Sequence, residues 1–490
     1  MGKAKLFIEN FLVYGLGGIV SRIIPLVMVP IITRLMPNTE YFGLSDLSVT
    51  VTSFASALAI IGMYDAMFRM FFEKEERQYK EKICSTTLMF TLVTSAVVFV
   101  LMLFFKNAIA KFFFGGTKYF YLVYITAIAT LVGATNGIIS APTRMQNKRK
   151  IFLITNTISP LISYAVSIPL LLKGFYVIAL PLASVVSGLA MEITFWILNK
   201  EWFSFKKFDF KLLKQLLAIA VPLFPNFLIY WIFNSSDRVM IANLLDVGQS
   251  GVYSVGAKLG HASQLIYTAF AGGWQYFSFS TMKEENQVRT NSLIFEYLGI
   301  ISFLCTMLVC IVSRGLYSLL FTDEYVSAYI ISPYLFLAPL LQMLFQVAAN
   351  QFLVVKKTWP NMLILSSGAA VNVVLNFILI PRIGIEGAAI ATLIGYLVSD
   401  VVCMVILCNM KLMQISLRFM LAVLFMVIFM VLWRLCFLQN ELILICVFIL
   451  IGSCYFLLYR RDIFRKNKGS KEKWKTLKEI QTSSFSALCL

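Results

Sequence analysis

The chain has 490 residues, of which 59% are apolar and 13% are charged, and its formal net charge is +18. A water-soluble domain carries about 25% charged residues, so this composition excludes a soluble enzyme. The long unbroken apolar runs also exclude a transmembrane β-barrel, whose strands are short and alternate in polarity. We therefore predict a polytopic helical membrane protein.

Fourteen apolar runs are each long enough to cross a bilayer as a helix, which takes about 18 residues or more. The predicted fold is therefore all-α, with about 14 transmembrane helices. In chain order the predicted spans cover 8–34, 42–68, 83–105, 119–141, 151–172, 175–198, 213–235, 248–277, 291–313, 327–352, 360–381, 385–409, 416–437 and 441–459.

The basic residues are distributed unevenly between the two sets of loops. If the N-terminus is cytoplasmic, roughly three quarters of the 42 Lys and Arg residues fall on the cytoplasmic side. Such a bias sets the orientation of a polytopic protein, so we predict that both termini are cytoplasmic. The same bias accounts for the positive net charge, and no nucleic-acid partner is predicted.

The chain repeats itself when it is shifted by 208 residues. In this register Gly43 falls on Gly251, Ser184 falls on Thr392, and the basic pair at 148–149 falls on the pair at 356–357. Six spans per copy make a parallel repeat, and transporters built in this way hold substrate between the halves. The predicted units are an N-terminal lobe (1–200), an interfacial connector (201–214), a C-terminal lobe (215–410), two further helices (411–460) and a basic cytoplasmic tail (461–490).

Several basic side chains lie inside or beside the predicted spans, where a lipid-facing charge is costly. Arg22 lies midway along span 1, Arg238 in the outer part of span 7, and Lys258 and His261 on one face of span 8. If the halves face one another, these groups line a positively charged cavity that suits phosphate or carboxylate substrates. Arg69, after span 2, lies at the cytoplasmic mouth. The alternatives are a structural ion pair for Arg238, a helix-packing residue bonded to backbone carbonyls for Arg22, a satisfied hydrogen-bonding residue for His261 and a positive-inside anchor for Arg69.

Acidic side chains are placed differently from the basic ones. One group maps toward the cytoplasmic third of the membrane, Asp46 maps toward the outer third, and Asp237 adjoins Arg238. The cytoplasmic group consists of Asp65, Glu192, Glu296 and Asp400. Each is a candidate for coupling to H⁺ or Na⁺ or for a structural charge. We predict no resident cofactor and no metal site, since His261 is the single histidine and no nucleotide-binding loop occurs.

With these features in place, the chain resembles the polysaccharide flippases of the multidrug/oligosaccharidyl-lipid/polysaccharide exporter superfamily, above all the O-antigen and capsule repeat-unit translocases. The residues that carry the resemblance are Pro30-Ile-Ile-Thr-Arg34, Glu40-Tyr-Phe-Gly43-Leu44, Asp65-Ala-Met-Phe-Arg69, Ser236-Asp237-Arg238, Gly251-Val-Tyr253-Ser254 and Lys356-Lys357-Thr358. The resemblance implies two lobes around a V-shaped cavity and alternating-access flipping of undecaprenyl-pyrophosphate-linked oligosaccharide. Arg22 and the basic residues of spans 7 and 8 would hold the pyrophosphate.

Two other functions stay open within the same fold. A cation-coupled multidrug exporter would favour an anionic pocket, and a lipid II flippase would use a basic cavity of the same kind. We do not expect an enzyme, because no large external catalytic loop is predicted. The expected setting is the bacterial cytoplasmic membrane, with membrane lipids and the polysaccharide polymerase and chain-length machinery as candidate partners.

Overall fold

The computed structural model describes residues 23–280, 282, 286–355, 359–436, 438 and 440–460, and the regular structure of these residues is helical. This confirms the all-α membrane fold that the composition predicts. The helices, in chain order, are α1 (Ile23–Leu35), α2 (Thr39–Ile60), α3 (Met63–Phe71), α4 (Arg77–Phe104), α5 (Lys106–Phe113), α6 (Tyr121–Met145), α7 (Arg149–Leu172), α8 (Ala179–Asn199), α9 (Phe210–Trp231), α10 (Asp237–Leu244), α11 (Val247–Gly260), α12 (Gln264–Ser280), α13 (Gln287–Leu320), α14 (Ser332–Val354), α15 (Trp359–Ile383), α16 (Ile385–Asn409), α17 (Leu417–Leu435) and α18 (Glu441–Arg460).

Twelve helical segments of the described chain are long and apolar enough to cross a membrane, and they coincide with twelve of the fourteen predicted spans. Span 1 begins outside the described residues. Span 8 is divided into α11 and α12 by a 3₁₀ turn at His261–Ser263. Just before this turn α11 lies very close to α14, because a Cβ atom at Gly260 would stand 2.8 Å from the Cβ of Leu335.

The register of the internal repeat is confirmed at the helix starts. α2 begins at Thr39 and α11 begins at Val247, which is the 208-residue shift. The preceding residues cap both helices in the same way, since the side chains of Asn38 and Asp246 each accept a hydrogen bond from the backbone N–H three residues later. A capping oxygen of this kind satisfies one of the free N–H groups at a helix start.

Helices α2 and α11 cross at the two glycines that the repeat pairs. A Cβ atom at Gly43 would lie 2.1 Å from the carbonyl oxygen of Val247, and a Cβ atom at Gly251 would lie 2.1 Å from that of Thr39. Such distances are far inside van der Waals contact, so only glycine fits at either position. Because the contacts are reciprocal, the pseudo-twofold axis relating the halves passes between Gly43 and Gly251.

Helix α9 links the two halves along its length. Its first part is buried in the first half, where Leu216 and Ala220 share a core with Met63 and Met67. Gly62, at φ +73°, receives this part of α9 so closely that a Cβ atom would stand 2.6 Å from the carbonyl oxygen of Ala220. A π-helical turn at Ile232–Ser236 then leads into α10. Such turns widen a helix locally and often occur at functional sites.

The last two helices are fastened to the second half by ion pairs near both ends of α17. Arg418 lies 3.2 Å from Glu296 of α13, and Arg434 lies 2.5 Å from Glu386 at the start of α16. The hydroxyl of Tyr459, from α18, also donates to Glu296 at 3.0 Å. Between these contacts, an apolar cavity of about 750 Å³ separates α17 from the second half.

Candidate functional site

The residues Asp46, Arg238, Ser254 and Lys258, here called the Asp46 cluster, join the two halves. Asp46 Oδ2 lies 2.6 Å from Arg238 Nε, and Asp46 Oδ1 lies 3.0 Å from Lys258 Nζ. Ser254 Oγ donates a hydrogen bond to the same carboxylate at 2.8 Å. One carboxylate of the first half thus holds two cations of the second half.

The members of the Asp46 cluster differ in their access to solvent. The side chains of Asp46 and Arg238 are only 8% and 12% exposed, whereas that of Lys258 is 38% exposed. The Lys258 ammonium also lies 4.7 Å from the ring centroid of Phe42, a cation–π contact. Lys258 is therefore the cation that an incoming anion reaches most easily.

Local structure places each cation in the cluster. Arg238 follows the π-helical turn, and its guanidinium also donates to the backbone oxygen of Asn234 within that turn. Lys258 lies one turn beyond Ser254 on α11. In the repeat register Ser254 is the counterpart of Asp46 itself, so equivalent positions meet at the pseudo-axis with different chemistry.

Of the other basic residues expected at the site, the structure describes His261 and Arg69. His261 begins the 3₁₀ turn at the end of α11, one turn past Lys258, and is half-buried. Arg69 is exposed on α3, beyond the far end of α2 from Asp46. Arg22 lies outside the described residues. The structure therefore brings Arg238 and Lys258 together, with His261 one turn away, and leaves Arg69 at a distance.

Asp237 faces the opposite way from its neighbour Arg238. Its buried carboxylate accepts hydrogen bonds from Thr392 Oγ1 at 2.6 Å, Tyr253 OH at 2.7 Å and Asn376 Nδ2 at 2.7 Å. All three donors belong to the second half. Both oxygens of this buried carboxyl group therefore have hydrogen-bond partners. Sequence reasoning did not assign Asn376 or Thr392 to this group, although both are polar residues within apolar runs.

The remaining acidic residues do not form one site. Asp65 is exposed on α3, Glu192 accepts a hydrogen bond from Thr135 Oγ1 at 2.6 Å, and Glu296 holds α17 and α18. Asp400 is only 6% exposed, and neither of its carboxylate oxygens has a hydrogen-bond partner. It lines the apolar cavity beside α17. Within the described residues no group of three His, Cys, Asp or Glu side chains could hold a metal ion.

Comparison with known proteins gives a family and a fold. A family model described as polysaccharide biosynthesis protein matches residues 7–274. The solved structures with similar folds include the lipid II flippase MurJ in an inward closed conformation, with a TM-score of 0.69 and 16% identity over 92% of this chain and 100% of that one. They also include an inward-facing multidrug resistance MATE family transporter of the MOP superfamily, with a TM-score of 0.57 and 12% identity over 80% of this chain and 98% of that one. No curated protein matches the sequence.

Proposed function

The chain belongs to the polysaccharide biosynthesis protein family, and we propose that it is a flippase for undecaprenyl-pyrophosphate-linked oligosaccharide repeat units. It moves these units across the cytoplasmic membrane by alternating access, for O-antigen or for capsular or exopolysaccharide biosynthesis. The family supports polysaccharide synthesis as the process, and the many membrane spans support transport as the activity. In alternating access, the two lobes move relative to each other.

The observation that carries the proposal is the Asp46 cluster, because it ties the halves together through cations that also suit phosphate. Arginine binds phosphate oxygens with a planar fork, and lysine adds a point charge. The pyrophosphate of the substrate engages Lys258 first, since this side chain is the more exposed. Arg238 follows, and Asp46 loses both of its partners.

Replacement of the Asp46 carboxylate by pyrophosphate as the partner of these cations then changes the conformation of the protein. While Asp46 holds Arg238 and Lys258, the halves are closed on this predicted outer side. When pyrophosphate takes the two cations, the ionic link between α2 and α11–α10 is gone, and the outer side opens. Substrate can drive this change only because it binds the open state better than the closed one.

A coupling ion, H⁺ or Na⁺, completes the proposed cycle, and no other cofactor is invoked. Asp400 is the best candidate to carry a proton, because its buried carboxyl group has no partner and a charge there would be costly. Asp237 is the second candidate, since its buried carboxylate lies beside the hydroxyl oxygens of Tyr253 and Thr392, which have lone pairs for a cation. Asp46, Glu192 and Glu296 already have partners that account for their positions.

The proposed setting follows from the charge distribution and the process. We place the protein in the bacterial cytoplasmic membrane with both termini in the cytoplasm, surrounded by membrane lipids. Translocated repeat units must be polymerised, so the polysaccharide polymerase and the chain-length machinery are proposed partners.

A second candidate function, cation-coupled multidrug export, is favoured by one specific observation. The unpartnered carboxyl group of Asp400 belongs to the lining of the apolar cavity of about 750 Å³. Its volume lies in the range of small-molecule sites, about 300–1,000 Å³, and a carboxylate there would attract an apolar cation. Lipid II is a further candidate substrate, because its lipid-linked pyrophosphate would engage the same Asp46 cluster.

The test is to measure lipid-linked oligosaccharide in each membrane leaflet after deletion of the gene. We expect repeat units to accumulate on the cytoplasmic face and wild type to restore export. Lys258→Ala and Arg22→Ala should fail to do so, whereas Lys173→Ala, which removes an exposed lysine after α7, should succeed. A deletion strain without accumulation but with altered sensitivity to cationic compounds would instead establish the exporter.

A further inference from the structure

A second cavity, of about 320 Å³, lies within the first half, away from the Asp46 cluster. It is enclosed by α6, α7 and α8, and Tyr64 of α3 closes one side. It lies near the ends of α6 and α7 that the short 146–148 turn joins, which is the predicted cytoplasmic side. Unlike the cavity beside α17, it has a lining rich in hydrogen-bonding side chains. Those used below are Tyr64, Asn136, Ser140, Arg144, Thr155 and Asn156.

Most of these groups offer acceptor oxygens to the cavity. Asn136 Oδ1 is buried and accepts no hydrogen bond. Asn156 uses its amide nitrogen on the backbone oxygen of Phe152 at 2.8 Å, and this leaves its side-chain oxygen free to accept. The hydroxyls of Ser140 and Thr155 donate to their own helices, so their lone pairs also face a ligand as acceptors. A ligand rich in hydroxyl groups satisfies such a set.

Arg144 supplies the donors and the positive charge. Its guanidinium donates to the hydroxyl of Tyr64 at 3.0 Å and lies 5.6 Å from the ring centroid of Phe152. Among the described residues no carboxylate lies within ion-pairing distance of it. Asp65, next to Tyr64, lies near enough to interact electrostatically with the guanidinium, but it makes no ion pair with it, is exposed and does not line the cavity. The remaining guanidinium N–H groups can therefore bind an anionic substituent.

Apolar side chains complete the lining. Phe152, Phe195 and Met191 face the cavity, and aromatic rings present large rigid apolar surfaces. A sugar ring has hydroxyl groups at its edge and C–H groups on its faces, so it matches both kinds of surface. Polar groups buried at membrane depth are costly unless they find partners, and a bound sugar would provide them.

We propose that this cavity binds one sugar residue that carries an anionic substituent, such as a uronic acid. The inference rests on the proposed function and extends it. The pyrophosphate binds at the Asp46 cluster between the halves, and the cavity of the first half binds one sugar of the repeat unit. Selection among glycans is then made by Arg144 and Asn136, at a place separate from the shared pyrophosphate group.

The experiment uses the full chain in lipid nanodiscs and saturation-transfer NMR with glucuronate and glucose as probes. Wild type should bind glucuronate more tightly than glucose. Arg144→Gln should weaken glucuronate binding about tenfold or more, the usual effect of losing a charged hydrogen bond, and leave glucose unchanged. Arg144→Lys should be intermediate, and Lys173→Gln, at the other end of α7, should match wild type.

A second variant tests the acceptor side of the cavity. Asn136→Leu should weaken the binding of both sugars. If thermal unfolding shows that the Asn136→Leu protein is misfolded, Asn156→Ala is used in its place. Equal glucuronate binding by wild type and Arg144→Gln, or no binding of either sugar to wild type, would overturn the inference. If the deletion strain still exports its glycan, the proposed function fails instead. If wild type restores export but binds no sugar here, only this inference fails.

Discussion

Replacing Asp46 by asparagine should open the predicted outer side of the protein. Asparagine keeps the size of the side chain and can still accept from Ser254, but it gives Arg238 and Lys258 no counter-charge. Removing one partner of a buried ion pair costs about 3–5 kcal/mol. Lys258 is 38% exposed and its pairing is screened by water, so we expect about 3 kcal/mol. That free energy shifts the closed–open equilibrium on the order of a hundredfold.

Spin labels on the two halves would measure this opening. Lys118→Cys and Ser327→Cys place labels at exposed sites on the predicted outer side, in a background without native cysteines, and electron–electron double resonance gives their distance. Asp46→Asn should add a longer distance that wild type lacks without substrate. Glu441→Gln, which removes an exposed carboxylate at the start of α18, should leave the distribution unchanged. An Asp46→Asn protein with the wild-type distribution would refute the ionic link as the element that holds the halves closed.

Three further substitutions test other parts of the structure. Gly251→Ala should lower the thermal unfolding temperature and abolish export, because its Cβ would lie 2.1 Å from a carbonyl oxygen. The control is Gly315→Ala, in open space on α13, which should be neutral or stabilising by about 0.5–1 kcal/mol. Equal effects of the two substitutions would contradict the close crossing of α2 and α11. Asp400→Leu should raise the unfolding temperature, since an unsatisfied buried polar group costs about 1–3 kcal/mol. It should also remove the dependence of transport on an ion gradient. A lower unfolding temperature would show that the carboxyl group has a partner. Arg434→Gln should leave Glu386 without its ion pair and loosen the outer end of α17, so hydrogen exchange should become faster at that end. Unchanged exchange would show that apolar packing alone holds this end of the helix.

The sequence predicts those features that depend on local pattern. Long apolar runs are sufficient to predict the spans, because a helix in lipid must satisfy its own backbone. The repeat could be aligned on a few residues, and two of them, Gly43 and Gly251, proved to lie where α2 and α11 cross. The division of span 8 at His261 was not predicted, since it depends on how α11 meets α14 and no proline marks it.

The site was less predictable, because its geometry depends on how the halves meet. Asp237 and Arg238 are adjacent in sequence, but neighbours on a helix point about 100° apart. Arg238 therefore reaches the first half, while Asp237 enters the core of the second. The sequence predicts that Asp46 lies in the outer third of the membrane, but it could not show that Asp46 pairs with Arg238 and Lys258. The partners of Glu296 lie on α17 and α18, which no local pattern connects to it.

The reciprocal crossing at the pseudo-axis bears on how such a chain can arise. A duplicated gene for a six-helix ancestor would first give two identical halves, with the same residue on both sides of the axis. The residues now facing each other there are Asp46 and Ser254, 2.8 Å apart. Two aspartates at that distance would repel, and two serines would leave Arg238 and Lys258 without a counter-ion. Once the two halves mutate independently, one can keep an acid at this position while the other keeps a hydroxyl.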